Sequence, residues 1–299
     1  MKNRVLVTGL EGFTGAHLED ALQRSGFEVF GTSLSPSTKS NIFTCNITKR
    51  NEIEAIVLKV KPTYVIHLAA ISFVGEKNAT LIYDVNVMGT ENLLESLLKL
   101  PFTLTKVILA SSATVYGNQN SSILDETMCP SPVNHYGYSK LAMEHLAKTY
   151  FDKLPILITR PFNYTGVGQA EHFLIPKIVK HYKENRPIIE LGNLDVAREF
   201  NDVRDVASWY AQLLLSEKQS EIVNLCSGNA ISLLEIIEQM NHFAGYAINI
   251  RVNSNFVRNN EIKLLLGSPK KLISLIHTLP KYKINDTLEA MYTLSLDVK

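Results

Sequence analysis

Tyr136 and Lys140 stand four residues apart in Tyr136-Gly-Tyr-Ser-Lys140. On a helix this spacing puts both side chains on one face. A free tyrosine, with a pKa of about 10, is a poor acid or base at neutral pH. An adjacent ammonium lowers that value and lets the phenol give or take a proton. Upstream, in Ser111-Ser-Ala-Thr-Val-Tyr-Gly117, Ser112 is the hydroxyl that would hydrogen-bond an oxygen whose charge changes during reaction. Tyr116 and Tyr138 have no lysine four residues on, so they are read as structural or substrate-lining.

A second constellation opens the chain. Thr8-Gly9-Leu10-Glu11-Gly12-Phe13-Thr14-Gly15 follows an apolar run at 5–7 and precedes a helical pattern. Strand, G-x-x-G-x-x-G, helix is a short-spaced dinucleotide fingerprint. Gly9 permits the tight turn, Gly12 lets backbone approach a pyrophosphate, and Gly15 lets the helix pack on the strand. Free N–H groups and the positive helix end, with Phe13 and Thr14 in the first turn, then face the phosphates. With Ser112, Tyr136 and Lys140, this predicts a nicotinamide-dependent oxidoreductase that moves a hydride and a proton together. A carboxylate ending the second strand would bind a ribose 2′-hydroxyl, and hydroxyls or a cation would suit a 2′-phosphate. The segment Gly31-Thr-Ser-Leu-Ser-Pro-Ser-Thr-Lys39 has no Asp or Glu. Thr32, Ser33, Ser35 and Lys39 therefore favour NADP(H), with NAD(H) left open.

These residues need a scaffold. Strand-like runs at 5–7, 27–32, 64–68, 106–110 and 155–159 alternate with helical patterns at 15–25, 51–60, 81–99 and 137–151. Such alternation predicts an α/β fold, a Rossmann-type doubly wound parallel sheet with right-handed crossovers. Beyond Arg160 the rhythm loosens. The stretch 161–171 reads as a loop, 173–183, 202–215 and 233–243 as helices, and 222–225 and 248–252 as strands. The expected division is a dinucleotide-binding domain at 1–160 and a smaller mixed substrate domain at 161–299, interleaving around 192–226. Asp202, Arg204 and Asp205 are expected to cap and charge-pair a helix start.

The 299 residues suffice for a large core, and the net charge of +1 gives no reason to expect a nucleic-acid or anionic-membrane partner. Cys45, Cys129 and Cys226 show neither metal-ligand spacing nor a disulfide framework, so no metal is expected. A reducing, cytoplasmic setting is expected: no charged stretch with an apolar h-region stands ahead of Arg4, so a signal peptide is not expected, and no apolar run nears the ~18 residues of a membrane helix.

The chain resembles the extended short-chain dehydrogenase/reductase family, in its nucleotide-sugar branch. The resemblance spans essentially the whole sequence. It is carried by Thr8–Gly15, His67-Leu-Ala-Ala70, Asn86-Val-Met-Gly-Thr90, Ser111–Gly117, Tyr136–Lys140 and Arg160-Pro-Phe-Asn163. It implies further cofactor contacts at Asn46, Ile47, Leu68, Ala69, Ala70 and Pro161, and a homodimer seamed by helices 81–99 and 137–151. The segments 160–169, 191–205, 223–228, 257–261 and 265–269 look like those of GDP-4-keto-6-deoxy-mannose reductases. Tyr164, Val167 and His135 depart from that pattern, which bears on sugar specificity.

The resemblance implies reduction of the C4 ketone of a GDP-4-keto-6-deoxy sugar. In related dehydratases an acidic residue follows the catalytic Ser/Thr by two positions, and here that slot is Thr114. Threonine does not eliminate water at neutral pH, so dehydration is not expected. An NAD-dependent 4-epimerase of UDP-hexose type, or an epimerase–reductase using His172, is the alternative. For the nucleoside diphosphate, guanidinium geometry suits phosphate oxygens, which points to Arg198 and Arg258. The resemblance adds Asn163 and Lys177 on the nucleotide side and Glu261 at ribose hydroxyls.

Overall fold

The computed structural model describes residues 3–73, 75–119, 121–257 and 262–294. Seven parallel strands form the central sheet. From edge to edge they are Glu221–Leu225, Ile156–Pro161, Lys106–Ala110, Tyr64–His67, Arg4–Thr8, Glu28–Ser33 and Ile42–Thr44. The order reverses between Arg4–Thr8 and Tyr64–His67. That is the switch point of a doubly wound sheet, where ligands bind beyond the carboxyl ends of the strands. The inner strands are runs of Val, Ile and Leu because both faces are covered; Val5, Leu6 and Val7 are fully buried.

One apolar cluster joins a face of the sheet to helices Phe13–Arg24 and Val203–Leu215. The other face packs on Arg50–Val60, Gly89–Leu97 and His135–Lys148. A third cluster gathers helices Leu174–Lys183, Leu233–Ala244 and Ile284–Thr293 around the strand pair Ile188–Leu191 and Asn249–Val252. The strand Glu221–Leu225 is supplied by the later half of the chain and sits in register with Ile156–Pro161, Asn224 opposite Arg160. Asp202 does cap its helix, accepting the Arg204 N–H at 2.8 Å and pairing with its guanidinium.

Two expectations change locally. The helical pattern at 81–99 is interrupted. Ala79–Tyr83 passes through a wide π turn, Asp84–Met88, before Gly89–Leu97. The turn delivers the Asn86 side chain to two other segments, at Ile71 and Ser139. The stretch expected as loop at 161–171 contains the two-residue strand Tyr164–Thr165, paired in parallel with Asn201–Asp202. Two residues are too few for periodicity to reveal a strand. Among the described residues, no helix is long and apolar enough to cross a membrane, and no group of His, Cys, Asp or Glu could hold a metal ion.

Candidate active site

The glycine turn is shaped as a cradle. Gly9 has φ +74°, a conformation that L side chains rarely adopt. A Cβ there would lie 3.1 Å from the Ala69 nitrogen, so the turn presses against the end of Tyr64–His67. A Cβ on Gly15 would meet the Leu10 carbonyl oxygen at 2.3 Å. The N-cap position, Gly12, carries no side-chain acceptor, so the first N–H groups of helix Phe13–Arg24 have no capping side chain. This construction fits a dinucleotide pyrophosphate. Thr14 Oγ1 bonds the Tyr164 hydroxyl at 2.7 Å, and Phe13 stacks on the Tyr164 ring at 6.0 Å. Tyr164 therefore ties the turn to the 164–165 strand.

Other expected cofactor residues divide. Leu68, Ala69 and Ala70 line the strand end, with Leu68 N–H and Ala69 N–H bonded to Thr8. Pro161 closes the strand Ile156–Pro161. Asn46 forms a turn, accepting from the Thr48 amide and hydroxyl, and Ile47 is a core residue. Thr32 is buried and accepts the Gly9 N–H at 3.3 Å, so it braces the turn. Lys39 is ion-paired with Glu19 at 2.6 Å.

A buried relay spans the switch point. The Thr90 hydroxyl donates to the Asn86 carbonyl at 2.8 Å, so it accepts from His67 Nε2–H at 2.9 Å. Nδ1 of His67 then accepts from the Thr8 hydroxyl at 2.7 Å. This tautomer is assigned from the partners. Burial, with the Lys140 charge adding to it, pushes His67 down to about 3, so the ring is neutral. From the π turn, Asn86 accepts the Ile71 N–H at 2.8 Å and donates to the Ile71 carbonyl and to Ser139 Oγ. Ser139 donates on to the Tyr136 carbonyl at 2.7 Å. One amide thus holds the loop after Tyr64–His67 against the helix bearing Tyr136. π turns are frequent at functional sites.

Tyr136 and Lys140 lie on His135–Lys148, whose start is set by Asn134 accepting the Gly137 N–H at 2.9 Å. Ser112 caps the short 3₁₀ helix Ala113–Tyr116. Its Oγ accepts from both the amide and the hydroxyl of Thr114, at 3.2 and 2.9 Å, and is hydrogen-bonded to Tyr136. Burial pushes the Tyr136 phenol up to about 12 against the lowering effect of that bond. The sequence expectation that Lys140 lowers Tyr136 is corrected here. Lys140 Nζ donates to the Ala110 carbonyl at 2.8 Å, and burial takes its own value down to about 8 despite the raising influence of Glu144. Tyr136 is therefore a fully protonated acid at neutral pH.

Beneath the triad lies a buried ion pair that the sequence reading missed. Arg160 Nε and Nη2 donate to Glu144 at 2.9 and 2.7 Å, and Ser111 Oγ donates to the same carboxylate at 2.6 Å. The guanidinium also lies 4.7 Å from the Tyr116 ring centroid. Glu144 follows Lys140 by one helical turn, which is the only sequence signal it carries. Tyr116 is fully buried and bonded to Asn224, hence structural, whereas Tyr138 is exposed.

The expected substrate contacts stand on other elements. Lys177 Nζ donates to the Glu190 carbonyl at 2.7 Å and lies over the Phe256 ring at 4.2 Å. Arg198, in the strand Ala197–Glu199, donates to its neighbour's carbonyl at 2.9 Å. Asn163 is exposed, and its carbonyl accepts from Asn201. His172 packs edge-on to Phe73 at 4.9 Å. Arg258 and Glu261 lie outside the described residues.

A glycine-turn cradle at the switch point, with Ser112, Tyr136 and Lys140 grouped beyond it, is the layout of a Rossmann-type fold. Residues 5–226 match the NAD dependent epimerase/dehydratase family, and the chain belongs to that family. It is 35% identical over 291 residues to the GDP-6-deoxy-D-talose 4-dehydrogenase of Aggregatibacter actinomycetemcomitans, covering 97% of each chain. Identity to the GDP-6-deoxy-D-mannose reductase of Pseudomonas aeruginosa is 30% over 304 residues, covering 97% of this chain and 96% of that one. Among solved structures, one from Pseudomonas aeruginosa complexed with NADPH has a TM-score of 0.86 at 29% identity over 98% of each chain. The UDP-glucuronic acid 4-epimerase of Bacillus cereus, bound to UDP-glucuronic acid and NAD, has a TM-score of 0.87 at 26% identity, covering 97% of this chain and 98% of that one. The chain is thus an enzyme of the nucleotide-sugar epimerase, dehydrogenase and reductase group, whose members bind NADPH or NAD.

Proposed function

We propose that this enzyme reduces the C4 ketone of a GDP-4-keto-6-deoxy sugar. The carrying observation is the pairing of a fully protonated, buried Tyr136 with a Ser112 whose lone pairs are engaged by Thr114. Ser112 donates to the ketone oxygen, Tyr136 delivers the proton as the alkoxide forms, and Lys140 orients the cofactor side. A reduced nicotinamide held by the glycine turn would supply the hydride. Thr114 offers no carboxylate for elimination. The two GDP-sugar relatives support the substrate class. Talose and mannose differ at C2 neither in their 6-deoxy nor in their GDP-linked forms, only at C4, so oxidation of either at C4 gives one and the same ketone. Residues 161–299 supply the sugar-nucleotide side, with Asn163, Lys177, Arg198, Arg258 and Glu261 as its contacts, and 1–160 the dinucleotide side, the two interleaving around 192–226, where Val203–Leu215 and Glu221–Leu225 join the central sheet unit.

The test is loss of absorbance at 340 nm when GDP-4-keto-6-deoxy-mannose is added with reduced cofactor, with NMR of the product. No oxidation of cofactor with any 4-keto sugar nucleotide would end this reading. A 4-epimerase would instead be purified with NAD bound and would interconvert sugars without added reductant. A homodimer belongs to the same proposal. Leu81, Met88 and Tyr138 are exposed on the segments expected to form the seam, and a monomeric mass in solution would contradict it.

A further inference from the structure

The tertiary fold supplies the carboxylate that the end of the second strand lacks. Glu11 projects from the glycine turn toward the segment after Glu28–Ser33, where the Ser37 hydroxyl donates to its Oε1 at 2.6 Å. Ser33 also hydrogen-bonds this carboxylate, and both hydroxyls hold it below the usual carboxylate range. The turn itself is fastened to the same strand end, Leu10 N–H to the Thr32 carbonyl at 3.0 Å and Gly9 N–H to Thr32 Oγ1. In this fold the adenosine ribose of a dinucleotide lies at the end of the second strand, beside the first turn. Ser33, which read as a phosphate ligand, is therefore already a donor to an acid, together with Ser37.

Charge decides what this corner accepts. Lys39 is the sole Lys or Arg between positions 25 and 48. It is paired with Glu19, and Glu11 and Asp20 also act on it electrostatically. Three carboxylates thus face one ammonium. A 2′-phosphate, carrying about −1.5 to −2 at neutral pH, would enter a corner that is already net negative. A ribose diol would instead find an acceptor with its orientation set by Ser33 and Ser37. We infer that Glu11 is the residue that selects the cofactor, accepting from the ribose hydroxyls of NAD(H) and repelling the 2′-phosphate of NADP(H). This reverses the preference expected from the strand end alone, and it rests on the family-level reading that the cradle holds a nicotinamide dinucleotide.

Equilibrium fluorescence titration of the purified full chain with NADH and with NADPH, in the absence of any sugar, tests it. Wild type is expected to bind NADH at least about tenfold more tightly. ADP-ribose should likewise compete better than its 2′-phosphate. In Glu11→Ser, with folding checked by thermal melting, the NADPH-to-NADH affinity ratio should rise at least about tenfold. Ser37→Arg, which keeps Glu11 but answers its charge, should move the ratio the same way. Tighter binding of NADPH by wild type, or a ratio unchanged in both variants, would overturn the inference alone. Binding of neither dinucleotide would overturn the cofactor reading beneath it.

Discussion

Thr114 donates twice to one atom of Ser112, through its amide at 3.2 Å and its hydroxyl at 2.9 Å. Both lone pairs of Ser112 Oγ are then engaged, so its own proton serves as a donor, directed toward the Tyr136 hydroxyl. The position that carries an acid in dehydratases serves here to orient the neighbouring hydroxyl.

Replacing Thr114 by Val removes one of the two donors. Turnover should fall by about tenfold, a fraction of the cost of losing a direct oxyanion donor. Cofactor affinity should stay unchanged, and Thr114→Ser should restore most of the rate. Equal losses in Thr114→Val and Thr114→Ser would argue for a packing role only.

Tyr136→Phe removes the proton donor while keeping the ring. The reduction rate should drop by about 10²- to 10⁴-fold, the usual range for a general acid. Binding of reduced cofactor, followed by fluorescence, should be little affected. Retained turnover would exclude Tyr136 as the acid.

The pH profile should report Lys140. Tyr136, raised to about 12, stays protonated throughout the neutral range, whereas Lys140, lowered to about 8, is charged below that pH and neutral above it. Activity in the reduction direction should decline as pH rises through about 8. Lys140→Met should be slow and should lack that limb. The linkage to stability runs the other way. Between about 8 in the folded state and about 10.4 in the unfolded state, the unfolded chain holds more protons. This group's contribution to stability therefore rises with pH across that window. The catalytically competent ammonium is the less stable form.

Glu144→Gln leaves the Arg160 guanidinium, 2% exposed, without its counter-charge. Loss of one partner of a buried pair costs about 3–5 kcal/mol, and chemical denaturation should show it. Joint replacement by apolar residues, Glu144→Leu with Arg160→Met, should cost less than the single change. A near-neutral Glu144→Gln would show that the pair is solvated.

The alternation of apolar strands and helices was legible because each segment's period reflects its own burial, as in Val5-Leu6-Val7 or Ile156–Pro161. The triad was legible for a similar reason. Tyr136 and Lys140 are neighbours through helix geometry alone, and Ser112 stands two residues beyond a strand end. Asn86 was visible only as part of a motif. Its work requires a π turn, which no periodicity announces.

What the residues determined by themselves was therefore local. They set a turn that only glycines can make, a helix carrying phenol and ammonium on one face, and a strand–helix rhythm that obliges a parallel sheet. Tertiary structure decided where each charge is spent. It turned Lys140 toward Ala110, so that burial makes Tyr136 a stronger holder of its proton. It also brought Glu11 to Ser37, 26 positions away, where an acid absent from the end of the second strand is supplied by the first turn. Electrostatics depends on distance through space and on burial, and neither can be read along the chain until the sheet has brought its strand ends together.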